Sequence, residues 1–131
     1  MTRYFTAGEA NELLPRVRPL VEAMVRAHAK LAVAEAANDK ARHAVAGNGG
    51  GLDPEELQGT REALEQLSEQ VGRTLGALGE LGVVVKDAAR GLVDFPSQRG
   101  GEVVLLCWEL GEERVGFWHG LEDGYAGRRP L

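Results

Sequence analysis

The sequence predicts an α+β fold, a long antiparallel helical hairpin packed on a small antiparallel β-meander. Three observations predict it. Apolar residues recur at helical spacing on both sides of a glycine run. Four short β-rich segments follow without an intervening helical pattern. The connections between those segments are tight, rich in Gly, Asp and Ser, as a meander requires. The 131 residues are expected to form one domain, with the hairpin over 7–81, the meander over 83–119 and a C-terminal tail over 120–131.

The opening "RYF", residues 3–5, reads as a short strand. Thr6 and Glu9 have capping-box spacing, the threonine accepting from the third helical N–H while the glutamate reaches back. Leu14, Val17, Val21 and Met24 then recur in steps of three and four. The register continues through His28, Leu31, Glu35 and Asn38, so the stripe turns polar at its far end. Pro15 and Pro19 each remove a helical hydrogen bond and predict a kink or a restart. "AGNGGG", 46–51, predicts the turn of the hairpin. Asp53 is then the cap of a second helix and Pro54 its first residue. Leu57, Leu64, Leu67, Val71, Leu75 and Leu78 form its stripe. Gly72, Gly76 and Gly79 weaken it, with close backbone packing as the expected return. Gly82 is the expected left-handed cap, and folding about the glycine turn sets Val17 near it.

The predicted strands are 83–86, 91–95, 102–110 and 114–118. A turn at Gly111–Glu112 sets Glu109 opposite Arg114, Leu106 opposite Phe117 and Trp108 opposite Val115. In that register Trp108 and Trp118 point to opposite faces, and His119 lies on the face away from Cys107.

"RYFTAGEANELLP", "VVVKDAARGLVDFP", "VLLCWELGEE" and "FWHGLEDGYAGRRPL" together resemble an uncharacterised bacterial family, domain of unknown function 2203. The resemblance spans nearly the whole chain and implies a small bacterial protein. It implies no activity, substrate or site residue.

Composition narrows the function. Apolar residues make up 44% and charged residues 27%, as expected of a globular protein, and no apolar run is long enough to span a membrane. The N-terminus has no apolar signal core, so the expected location is the cytoplasm. A single cysteine, Cys107, excludes an intramolecular disulfide. The net charge of −5 is spread along the chain, with 12 acids against 9 bases in residues 1–80 and 8 against 6 thereafter. No broad basic field exists, so the two tryptophans are weak support for nucleic-acid binding. "GNGGG" lacks the lysine of a phosphate loop.

The candidate site residues cluster late. His119 and Glu122, with Asp94 across the sheet before an expected strand-ending turn at Pro96, have the donor types for one divalent metal, suiting Zn²⁺, Mn²⁺ or Fe²⁺. Asp87 and Arg90 either border a small polar cleft or serve the turn itself. One of Trp108 and Trp118 is expected in the core and the other against a helix or a partner; Trp118 is the candidate ligand-facing aromatic, with core packing the favoured reading. Arg128 and Arg129, together with Arg3, have the chemistry to bind a phosphate or carboxylate, or to pair with Glu122 and Asp123. Cys107 lies in an apolar strand and reads as a buried structural thiol.

The hairpin carries a second apolar set, Leu13, Leu20, Val25 and Val33, more than two helices alone bury. The favoured reading is a non-enzymatic, self-associating interaction or ligand-binding module, a homodimer through the hairpin with an unidentified ligand. The alternative is a small metal-dependent hydrolase with its metal at Asp94, His119 and Glu122.

Overall fold

A computed structural model of the chain describes residues 2–48 and 53–131. Two long helices precede a five-stranded antiparallel sheet: α1 (Ala7–Asn48), α2 (Pro54–Glu80), β1 (Val84–Asp87), β2 (Leu92–Arg99), β3 (Glu102–Glu109), β4 (Phe117–Gly120) and β5 (Arg129–Pro130), with a single 3-10 turn at Tyr125–Gly127. The strands lie in chain order, β1-β2-β3-β4-β5. Among the described residues no helix is long and apolar enough to cross a membrane.

Local chemistry sets the helix ends. Thr6 N–H donates to Glu9 Oε1 at 2.9 Å and Glu9 N–H donates to Thr6 Oγ1 at 3.1 Å, closing the capping box. The Asp53 side chain accepts from Glu55 N–H at the start of α2, with Pro54 beside it. At the other end Gly82 has φ +89°, its N–H donates to Gly79 O, and Val83 N–H donates to Leu78 O. That pair of bonds is a Schellman cap.

Several expectations are corrected. Residues 3–5 are not a strand, although Phe5 N–H donates to Pro96 O at 2.7 Å. α1 runs unbroken through Pro15 and Pro19, so there is no restart, and both prolines are exposed. It also continues through Ala46–Asn48, where the turn was expected to begin; the rest of that glycine turn lies outside the described residues. Gly82 comes to rest against Arg3 and Phe5 of the segment that precedes α1. Around Gly72, Gly76 and Gly79 no atom lies within 4 Å of where a Cβ would stand, so the chain itself does not use their thinness.

Pro96 does not end β2. It pairs with Leu105 inside the strand, which continues to Arg99. A proline there lacks an N–H for the ladder, but β1 pairs β2 no further along than Asp94, so this stretch is an edge. Phe5 covers it, accepting from Ser97 Oγ and placing its ring edge-on to Phe95.

The largest correction is the β3–β4 register. Leu106 pairs with Trp118, Cys107 with Phe117 and Leu105 with His119, a slip of one residue from the expected alignment. The cause is distant in sequence. Asn11 of α1 brackets Val115, its Oδ1 accepting from Val115 N–H at 2.8 Å and its Nδ2 donating to Val115 O at 3.2 Å. Val115 is thereby drawn out of the ladder. Glu109 consequently pairs with Arg90 at 2.9 Å instead of Arg114. A one-residue slip exchanges the faces of a strand. Trp118 therefore joins Trp108 on the helix side, and His119 joins Cys107 on the other.

The core lies between the sheet and the start of the hairpin. Val93, Phe95, Leu106, Trp108 and Val115 pack against Ala10, Leu13, Leu14, Val17, Val21, Met24 and Leu78. Gly91, at φ +70°, passes where a Cβ would stand 2.8 Å from Leu110 Cβ and 2.9 Å from Val21 Cγ1. Beyond Ala27 and before Leu78, no described side chain of the hairpin is fully buried.

Candidate functional site

The sheet has a second face, away from the helices. Asp94 of β2 pairs with Cys107 of β3, Cys107 with Phe117 of β4, and Leu105 with His119. Residues paired across an antiparallel ladder share a face, so Asp94, Cys107 and His119 are neighbours in three adjacent strands. All three are buried, at 1%, 1% and 4% exposure.

The returning tail helps to cover this face. Asp123 ties the turn after β4 by accepting from Gly120 N–H. β5 then pairs with β4, and Leu131 N–H donates to Gly116 O. The Arg128 guanidinium lies 3.8 Å from the centre of the Phe117 ring and 4.7 Å from that of Tyr125, and it donates to Glu112 at 2.6 Å.

His119 is held at both nitrogens. Nδ1 lies 2.8 Å from Gly120 O and Nε2 lies 3.2 Å from Asp94 Oδ1. A carbonyl oxygen only accepts, so Nδ1 carries hydrogen. A proton must then lie between Nε2 and Oδ1, whichever atom owns it. Burial raises the Asp94 pKa, and the opposing pull of His119 is smaller. Asp94 Oδ2 is buried with no hydrogen-bond partner. The Cys107 thiol is near enough to act on the carboxylate, but it completes no bond of standard geometry. Burial, with the Asp94 charge adding to it, pushes this thiol up to about 12. A Cys–His–Asp nucleophilic triad therefore does not fit: the thiol is protonated, and both imidazole nitrogens are committed elsewhere.

The other sequence candidates are dispersed. Asp87 Oδ1 accepts from Ala89 and Arg90 N–H, holding the β1–β2 turn. Arg90 reaches Glu109 and stacks over Tyr125 at 4.5 Å. Trp118 is flanked by Arg99 at 4.5 Å and Arg129 at 5.4 Å. Arg3 is elsewhere, over the Phe5 ring and donating to Leu81 O, so it does not gather with Arg128 and Arg129. Glu122 is exposed in the turn beyond β4, whereas Asp94 and His119 are buried together.

Cys107 is the residue that sequence reasoning left out of this group. The expected register placed it on the opposite face from His119. One signal did exist: Asp94 is a lone charge within the apolar run "GLVDF", and Cys107 interrupts the apolar run of β3.

The model of an uncharacterised conserved protein family, DUF2203, matches residues 3–131, and the chain belongs to that family. No curated protein and no solved structure matches it.

Proposed function

We propose that this DUF2203 family member is a non-enzymatic module that self-associates through its hairpin, two copies meeting in a four-helix contact. The observation that supports this reading is the uncovered far half of the hairpin. From His28 to Asn48 α1 extends roughly 30 Å at helical rise, and no described side chain there is fully buried. Val33 is 72% exposed, and Leu57 and Leu75 of α2 are also exposed. Ordering each residue costs about 1–2 kcal/mol, and helices without tertiary packing are marginal in water. Two such helices need a further surface.

A second copy offers one with suitable charge. α2 carries six glutamates, 55, 56, 62, 65, 69 and 80, against Arg61 and Arg73, a net of −4. Residues 28–48 of α1 carry Lys30, Lys40 and Arg42 against Glu35 and Asp39, a net of +1. A two-fold arrangement that lays α1 of each copy on α2 of the other places opposite signs together.

Analytical ultracentrifugation across a concentration series tests the reading. The expected result is a dimer that persists to low micromolar concentration. A double variant, Val33→Asp with Leu57→Asp, is expected to dissociate it while near-ultraviolet circular dichroism of the sheet-proximal core is unchanged. A wild-type protein that is monomeric at every concentration, with full helix content, overturns it.

A further inference from the structure

We propose that Asp94, Cys107 and His119 form a binding site for one thiolate-accepting divalent transition-metal ion, with Zn²⁺ the best chemical fit.

Geometry supports it first. One ligand atom from each residue lies within 4.8 Å of the other two, and the Nε2 to Oδ1 pair is already at 3.2 Å. Zinc bonds of roughly 2.0–2.3 Å put tetrahedral ligand atoms about 3.3–3.8 Å apart. Closing the remaining gap takes a shift of about an ångström, within side-chain rotation on three strands whose backbones are already fixed to one another.

Asp94 Oδ2 is a second, independent observation. A carboxylate oxygen buried without a donor is expensive and rare in folded proteins. A cation at this position satisfies it. The nearby protein cations do not: Arg128 bonds Glu112 through Nη2 and its own buried Nε has no partner, so it does not reach Asp94, and Lys86 acts on Asp94 while itself exposed.

The histidine is oriented for the task. Nδ1–H is fixed on Gly120 O, which leaves Nε2 as the lone-pair nitrogen directed at the cluster. A backbone carbonyl holding the far nitrogen is the arrangement that orients metal-binding imidazoles.

Charge and softness select the ion. Binding displaces two protons, one from the Cys107 sulfur and one from between Nε2 and Oδ1. A thiolate, a carboxylate and a neutral imidazole then match a +2 ion, so the buried site is neutral before and after. The sulfur ligand disfavours Mg²⁺, Ca²⁺ and Mn²⁺. This differs from the set of Asp94, His119 and Glu122 by replacing an exposed carboxylate with a buried thiolate. The site rests on the sheet alone, so it stands or falls separately from the hairpin.

The test is titration of untagged, metal-stripped protein with Co²⁺, read by absorption. Because Cys107 is the single cysteine, a thiolate-to-cobalt charge-transfer band has one possible source. The expected result is a band that saturates at one ion per chain, is abolished by Zn²⁺, is lost in Cys107→Ser and is unchanged in Glu122→Gln. Failure of the wild type to develop the band overturns the proposal. So does cobalt binding without it that survives in Cys107→Ser, which places the ion elsewhere. If Cys107→Ser does not fold, protection of the wild-type thiol from alkylation by Zn²⁺ under mild denaturant replaces that arm. An alkylation rate that Zn²⁺ leaves unchanged then counts against the site.

Discussion

Nε2 of His119 lies 3.2 Å from Oδ1 of Asp94, with both side chains almost wholly out of water and contributed by strands that are not neighbours in the sheet. The two sit on either side of Cys107's strand, and each is the other's side-chain hydrogen-bond partner. Removing one partner of a buried pair leaves the other uncompensated. His119→Ala is therefore expected to destabilise the protein by about 3–5 kcal/mol in metal-free buffer. Asp94→Asn keeps a donor for Nε2 and replaces the orphaned, charge-bearing carboxylate oxygen by a neutral amide oxygen, so it is expected to cost less than His119→Ala, about 1–2 kcal/mol. Urea unfolding of both variants checks the order. Equal losses would mean that packing volume, rather than the pair, sets the penalty.

Cys107 gives a pH prediction with a definite sign. Its thiol is pushed from 9.0 up to about 12 in the folded state. Between those values the unfolded thiol has lost a proton that the folded one retains, so stability falls as pH rises through the window. At pH 10 the loss is about 1.4 kcal/mol, one unit of difference. Cys107→Ala removes this increment. Denaturant midpoints of wild type and variant at pH 8 and pH 10, compared as a difference, isolate it from lysines and tyrosines that also titrate. A difference that does not change with pH would contradict the assignment.

Two glycines are expected to respond oppositely to the same substitution. At Gly91 a methyl group would stand 2.8 Å from Leu110 Cβ in a backbone conformation at φ +70°. Overpacking and backbone strain together predict a loss of about 2–4 kcal/mol for Gly91→Ala. Gly79 is helical with no atom within 4 Å of its would-be Cβ. Gly79→Ala is expected to stabilise by up to about 1 kcal/mol through helix propensity. Thermal unfolding of the two variants is the check.

Arg128 holds the tail to the sheet through Glu112 and the faces of Phe117 and Tyr125. Arg128→Ala is expected to cost about 1–3 kcal/mol, combining a charge-assisted bond with ring stacking. Arg128→Lys rescues little, since an ammonium lacks the planar face that stacks. Hydrogen exchange localises the effect: faster exchange confined to residues 121–131 is expected, and exchange spread over the whole sheet would mean that the tail is integral to folding.

What the sequence determined by itself is local. The capping box at Thr6 and Glu9, the start of α2 at Asp53 and Pro54 and the Gly82 cap each depend on residues within a few positions. Backbone hydrogen-bond geometry at that range leaves few alternatives. The apolar stripe from Leu14 to Met24 named one wall of the core for the same reason, and four of the five strands announced themselves by composition. The short β5 and the extension of β2 past Pro96 did not, because each exists only where another segment meets it. The candidate site was legible in part: Asp94 and His119 were recognised as companions. Cys107 was not, because a two-residue turn was assumed where Asn11, 104 residues away in sequence, draws Val115 out of the ladder. Strand alternation has a period of two, so a single displaced residue inverted the face of everything after it. Only the tertiary structure could decide that register, since the hydrogen bonds that set it join a helix to a loop at opposite ends of the chain.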